Sequence, residues 1–493
     1  MYRKEDVSQL KFEDFYLPFG GKLRSNNRWI IMAQQIPWQD IEKTYGRQFC
    51  DDNGSPAKSA RIAIGALIIK ERLATTDRET VEQIRENPYL QYFLGLSEYT
   101  DEELFHHSMM THFRKRFDKD TLAVINQLIV DKAMESDSNK ADASSDDKDN
   151  DEPSNQGKLL VDATCTPADV AYPTDLNLLN EAREKTEEMI DVMHAPFAGA
   201  EKKPRTCRQK ARKAYLAVAK QKKPGAKKIR KAIGRQLRYL KRNLQTIDYM
   251  ASNGRLLYLS KRLYRLLLVS KELFRQQRLM YECRTHSIPD RIISLHQPHV
   301  RPIVRGKAKS PVEFGAKVSV SLVGGFSFVE KIGWDAYNES CDLIEQIKRY
   351  RERFGFYPES VHVDKLYRTR ENRNFCQTKK IRMSGPSLGR PSEDMVICKQ
   401  QKQLMRQDEI DRIPIEGKFG QGKRRFTLAR IMAKLAITSE AVVMVSFMVM
   451  NLEKILAGII SFLFLLCRWL LDGQRRWLYG QSHGLFAVAA TAA

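Results

Sequence analysis

Lys158-Leu-Leu-Val-Asp162-Ala-Thr164 and Ser360-Val-His-Val-Asp364 have the same pattern: a short apolar run delivers a carboxylate at its end. A run of this length, rich in branched residues, reads as a buried strand, so each stretch places an aspartate at a strand end. Between them, Glu313 to Glu330 alternates apolar and polar residues on both sides of Gly324-Gly325, which predicts a hairpin of two antiparallel strands. Ser340 to Arg353 has helical periodicity, and Gln407 to Leu435 reads as a helix carrying Glu416. The order is therefore strand, long interruption, two hairpin strands, helix, strand, helix.

The sharpest local pattern lies on that last helix, where Arg412, Glu416 and Lys423 follow one another at steps of four and seven. Such steps return to nearly the same face. Gly417, Gly420 and Gly422 each weaken a helix by about 1 kcal/mol relative to Ala, which suggests that a polymer backbone approaches closely there. Asp162, Asp364 and Glu416 can converge at one edge of a sheet. Hard oxygen ligands of this kind suit Mg²⁺, with two ions able to activate a nucleophile and stabilise a leaving oxygen; Mn²⁺ is an acceptable substitute. Asp169, Asp175, Glu371, Asp408, Glu409 and Asp411 read as caps or surface charges, and His362 as a packed histidine.

With 493 residues the chain can bury a sizeable core and hold two or three domains. Its formal net charge of +23 points to a polyanionic partner, with nucleic acid ahead of an acidic membrane. Eight dispersed cysteines without a C-x-x-C pair fit a reduced cytoplasmic compartment, and His106, His107 and His112 are a poor basis for zinc.

Residues 1–134 read as a helical N-terminal domain, with an apolar run from Ser59 to Leu73, an amphipathic stretch from Arg78 to Arg85, and Glu102 to Phe117 ending in Arg114, Lys115 and Arg116. That basic end is a candidate for DNA contact. Residues 135–158 are acidic and polar, as expected of a disordered linker. Residues 159–440 form the catalytic unit, interrupted at about 180–300 by helices. From Lys202 to Arg242 these are dense in Lys and Arg and free of Asp and Glu. Tyr215, Leu216, Leu237, Tyr239 and Leu240 interleave the charges at helical spacing, so the stretch can fold and still offer phosphates a basic face. Residues 441–493 form a hydrophobic C-terminal helix and tail. Ile455 to Leu471 approaches the length of a membrane span, but it follows directly on a run expected to pack on the core, and the positive charge is not concentrated beside it.

These residues resemble the insertion-sequence transposases with a DDE triad and an R-x3-E-x6-K signature. The resemblance rests on the segment ending at Arg85-Glu-Asn-Pro-Tyr-Leu-Gln-Tyr-Phe-Leu94, on Val161-Asp-Ala-Thr164 with Ala171-Tyr-Pro-Thr-Asp175, and on Asp364-Lys-Leu-Tyr-Arg-Thr-Arg-Glu-Asn-Arg373. It also rests on Arg382-Met-Ser-Gly-Pro386, Leu388-Gly-Arg-Pro391 and Ile415-Glu-Gly-Lys-Phe-Gly-Gln-Gly-Lys-Arg-Arg425. It implies an α/β fold: an RNase H-like mixed-sheet core with a helical insertion, beside an all-helical N-terminal domain. The metal ligands and catalytic residues would be Asp162, Asp364 and Glu416. DNA contacts would come from Arg412, Lys423, Lys418, Arg424, Arg425, Tyr367 and Arg368. The partners would be double-stranded element ends and target DNA, handled by a homodimer in the bacterial cytoplasm at the nucleoid. Related signatures often carry a tyrosine three residues before the arginine; Glu409 stands there in this chain. A DNA-binding repressor that has lost catalysis, a metal-dependent nuclease without strand transfer, and a membrane protein using the tail are the rival readings.

Overall fold

The computed structural model describes residues 11–461, except 18–19, 48, 50–56, 139–153, 305–311, 336 and 387–394. The acidic linker thus lies mostly outside the described residues, as do Leu388 to Pro391 and the tail beyond Ser461.

Among the described residues seven helices come first: α1 (Arg28–Gln35), α2 (Trp38–Gly46), α3 (Ala60–Leu73), α4 (Asp77–Glu86), α5 (Pro88–Phe93), α6 (Met109–Arg116) and α7 (Lys119–Ser138). Their starts follow from local chemistry. The side chains of Asn27, Ser59, Thr76 and Asn87 accept hydrogen bonds from the first free backbone N–H groups of α1, α3, α4 and α5, and Pro88 needs no such partner at the first position of α5. α3 is buried on nearly all sides and forms the centre of this group.

The sheet contains β1 (Lys158–Pro167), β2 (Arg301–Val304), β3 (Val312–Val323), β4 (Phe326–Gly333), β5 (Ser360–Val363) and β6 (Arg382–Met383), in the order β2-β3-β1-β5-β6 with β4 also paired to β3. β3 runs antiparallel to β1 and β4, whereas β5 is parallel to both β1 and β6, so the sheet is mixed. The β3–β4 hairpin turns at Gly324-Gly325 as its alternation predicts, both glycines having positive φ. β1 does not stop at Asp162, however. It continues to Pro167 because β3 pairs with it as far as Gly315, where a side chain would collide with the Thr166 carbonyl. Asp162 marks instead the end of the parallel pairing with β5, whose last pair is Val161 with Val363.

Four helices fill the interruption: α8 (Asp175–His194), α9 (Arg208–Ala219), α10 (Ala226–Ser252) and α11 (Lys261–Cys283). Leu179, Met189, Leu240, Ile247 and Leu273 build a hydrophobic core of their own, apart from that of the sheet. After β4 come α12 (Leu343–Phe354), α13 (Arg370–Thr378), α14 (Met395–Arg425) and α15 (Ala436–Ser461). α14 ends ten residues before Leu435, the predicted end. Beyond it Phe426 and Leu428 are buried and Ile431 bonds back to Pro167, so the chain there follows the sheet edge instead of a helical path.

One hydrophobic cluster runs from Phe15 through α3 and α7 into β1, β3, β4 and β5 and on to Leu456 of α15. Polar bonds fasten the same seam. The buried Asn451 amide donates to Asn126 Oδ1 at 2.9 Å and to the Ser327 carbonyl at 2.8 Å, and Glu71 of α3 accepts from Thr427 N at 2.9 Å and Ser446 Oγ at 2.6 Å. The N-terminal helices therefore share their core with the sheet. α15 is long and apolar enough to cross a membrane, but much of it is buried in this core, including Phe447, Val449 and Leu452.

Candidate active site

The parallel register places Asp364 beside Asp162, one residue past the last β1–β5 pair and on the same face. α14 lies against β1 and β5. A helix step of four residues rises about 6 Å and a strand step of two rises about 6.6 Å, so the two elements can stay in phase. Asp408 accordingly lies at His362, and Arg412 at Asp364: His362 Nδ1 is 3.6 Å from Asp408 Oδ1, and Arg412 is 3.2 Å from Asp364 Oδ1. One turn further on, Arg412 donates to Glu416 Oε1 at 2.6 Å. Asp364 also caps the short turn at Lys365–Tyr367 by accepting from Lys365 N at 2.7 Å.

α14 is anchored from beneath. Arg382 on β6 grips Asp408 through two bonds of 2.8 and 2.9 Å, Gly385 N adds a third at 3.2 Å, and Lys158 Nζ reaches Asp411 at 2.6 Å. Asp408 is 5% exposed, so it is a buried tether and not the surface charge that the sequence suggested. His362 is fully buried against Ser360, packed as expected, and burial lowers its pKa. Pro414 lies inside α14 and leaves the Ile410 carbonyl without its helical partner. Both residues face solvent, where water can serve.

Asp162, Asp364, Arg412, Glu416 and Lys423 line a cleft of ≈ 690 Å³, together with Lys317, Tyr337, Glu339 and Phe419. Burial pushes the Asp162 carboxyl up to about 6; the Ala163 N–H and the Arg412 charge pull it down, and Glu339 and Asp364 push it up. Among the described residues no three His, Cys, Asp or Glu side chains are gathered around a single point; the Arg412 guanidinium stands between two of the carboxylates. The donor set still fits a divalent cation. It offers carboxylate oxygens only, and it already draws a guanidinium onto Asp364 and Glu416 while half-buried Asp162 has no ion pair of its own among the described residues.

The residues expected to touch DNA divide. Arg412 and Lys423 are in the cleft, and Arg424 is exposed at the end of α14. Arg425 is held by Glu453 at 3.0 Å. Lys418 is not brought to the cleft: it is largely buried near Lys454, and burial followed by that charge lowers its pKa to about 8. Tyr367 is fully buried behind Asp162, so it supports the site from within and is closed to DNA. Arg368 is half-buried, donates to the Val363 carbonyl at 3.2 Å, and fills the space where a side chain at Gly385 would sit. In the N-terminal helices, Arg114 is buried on Asp77 and Arg116 lies over the Phe49 ring, which leaves Lys115 exposed. The glycines also separate: Gly422 is needed for packing against Leu428, whereas Gly417 faces open space. Sequence reasoning missed Glu339 and Lys317; Glu339 stands immediately before the helical stretch read as starting at Ser340.

Residues 361–453 match the family described as "Transposase DDE domain", and residues 18–116 match "Transposase domain (DUF772)". The chain is also similar to "Uncharacterized protein ORF8 in nfe locus" from Rhizobium meliloti, 28% identical over 172 residues, which is 35% of this chain and 74% of that protein. No solved structure matches. The first family match spans Asp364, Arg412, Glu416 and Lys423 and the second covers α1 to α6, so the two matches support the resemblance to the insertion-sequence DDE transposases.

Proposed function

We propose that the chain binds the ends of its own element and catalyses metal-dependent cleavage and transfer of DNA strands, using Asp162, Asp364 and Glu416 on an RNase H-like core. The observation that carries this reading is the register that sets Asp162 beside Asp364, with Arg412 joining Asp364 to Glu416 across the cleft. Two Mg²⁺ ions, or Mn²⁺ in their place, would activate the attacking oxygen and stabilise the leaving one when held by these three carboxylates. Ionised Asp162 and Asp364 orient from the sheet and Glu416 from the helix, so the attacking and leaving oxygens would lie between two rigid elements. Lys423, two turns beyond Glu416, and exposed Arg424 supply cations to the phosphates on either side of the scissile bond. Water would be the first nucleophile and the freed 3′-hydroxyl the second, attacking in line. Two element ends call for two copies of the chain.

The test is cleavage and joining of labelled element-end duplex by purified protein with Mg²⁺, beside Asp162→Ala, Asp364→Ala and Glu416→Ala variants checked for DNA binding. Wild type should cut and join, and each variant should bind and do neither. Cleavage without joining would reduce the chain to a nuclease, binding alone would make it a repressor, and variants as active as wild type would move the active site elsewhere.

A further inference from the structure

The cleft contains a fourth carboxylate. Glu339 opens the short turn Glu339–Asp342 that leads from the hairpin into α12, and its side chain, 15% exposed, lines the same wall as Asp162. Its Oε2 is 3.0 Å from Lys317 Nζ on β3, and that lysine, 16% exposed, also donates to the Tyr337 carbonyl at 3.0 Å. Glu339 Oε1 has no partner among the described residues. A nearly buried ion pair costs desolvation that its own attraction barely repays, so it contributes little as a staple. Glu339 also brings a second carboxylate into the cleft beside Asp162.

A second feature points to a missing cation. The fully buried Tyr367 lies under Glu339 and Asp162, and its hydroxyl makes no hydrogen bond of normal geometry; the neighbouring Ser319 hydroxyl already accepts from Gln346 Nε2 at 2.7 Å. Glu339 and Asp162 line one cleft and both act on this buried hydroxyl, while Arg412 is engaged with Asp364 and Glu416.

We propose that Glu339 is a fourth acidic residue of the divalent-cation site, sharing with Asp162 the ion at the sheet end of the cleft, and that Lys317 is the internal cation Glu339 holds until that ion arrives. The inference rests on the reading of Asp162 as a metal ligand. Binding the ion would leave the carboxylate ionised and release the lysine toward the cleft, where it can meet a phosphate.

The test is Mn²⁺ binding to the full chain without DNA, by calorimetry, with melting temperatures measured in the presence and absence of Mn²⁺. Glu339→Gln should weaken Mn²⁺ binding about tenfold or more, as loss of a ligand or its close support does, and shrink the Mn²⁺-induced rise in melting temperature. Its melting temperature without metal should fall, because Lys317 loses its partner, so the Mn²⁺ affinity and the Mn²⁺-induced rise, which a merely structural role would not move, carry the test. Glu339→Asp, which keeps the charge but draws it back by one carbon, should bind with intermediate affinity, and Lys317→Met should bind more tightly. Wild-type affinity in Glu339→Gln, or in Glu339→Asp should the first variant fail to fold, overturns the proposal if Asp162→Asn has lost binding. Unchanged binding in Asp162→Asn as well would overturn the three-carboxylate reading itself.

Discussion

Asp162 and Lys418 are both ionisable groups held where charge is unwelcome, yet only Asp162 is in the cleft. The Asp162 carboxyl is raised from 3.8 to about 6, mainly by burial. A carboxyl raised on folding favours the folded state fully below its unfolded pKa and loses that advantage as pH rises through about 6. The loss is about 2–3 kcal/mol at most. Asp162→Asn, which keeps an oxygen for the Ala163 N–H, should therefore melt several degrees higher than wild type at pH 8 without metal and no higher at pH 3.5. Equal melting at pH 8 would mean that Asp162 is already compensated. Lys418 has the opposite sign: lowered from 10.5 to about 8 by burial, it destabilises the fold once it is charged, below pH 8. Lys418→Met should gain about 1–2 kcal/mol at pH 7, gain nothing above pH 11, and leave DNA affinity unchanged. A fall in affinity in a binding titration would make Lys418 a DNA-binding residue after all.

Helix α14 shows what a sequence reveals of a site and what it conceals. The four- and seven-residue steps from Arg412 to Glu416 and Lys423 are a property of any helix, so their common face was legible at once, and the strand-end carboxylate at Asp364 was equally plain. Two things were not. The extension of β1 past Asp162 depends on pairing with β3, a partner some 150 residues away, and no local pattern announces it. The anchoring face of α14 depends on Arg382, Gly385 and Lys158, which come from two other segments, so Asp408 and Asp411 read as solvent charges. Tethering is what keeps a helix interrupted by Pro414 in phase with the strands. Asp408→Ala removes three hydrogen bonds to one buried carboxylate and should cost about 2–3 kcal/mol, the range for a charged group so bonded. It should also reduce cleavage more than DNA binding, because Glu416 loses its register while Lys423 and Arg424 remain on the same helix. Melting curves and cleavage rates measured side by side check both halves; undiminished cleavage would show that Ile415 packing alone holds the helix.

Among the described residues the molecule has two large cores with different duties. The first joins the N-terminal helices, the sheet and α15, and it absorbs most of the basic end of α6 into ion pairs and ring contacts, which is why that end serves structure more than ligand binding. The second belongs to the insertion, which buries Arg183 against Glu187 but leaves the basic stripe of α10 outside. Lys227, Lys231, Arg235, Arg238 and Lys241 recur along α10 at steps of three and four, all exposed and none in an ion pair among the described residues, while Leu237, Leu240 and Leu244 turn inward. From Lys227 to Lys241 the stripe is about 21 Å long, the rise of roughly six base pairs of duplex. A stripe of this kind attracts phosphates without reading bases, so it should contribute affinity that salt weakens. Every phosphate that the protein ceases to neutralise lowers the slope of log affinity against log salt by about 0.9. Replacing Lys231, Arg235, Arg238 and Lys241 by Gln should therefore flatten that slope by about 3–4 between 50 and 200 mM salt on any duplex of sufficient length. The melting temperature should scarcely move, because these side chains hold no ion pair that the substitutions would break. An unchanged slope in fluorescence anisotropy would show that the insertion faces away from DNA and that the cleft itself carries the electrostatic attraction.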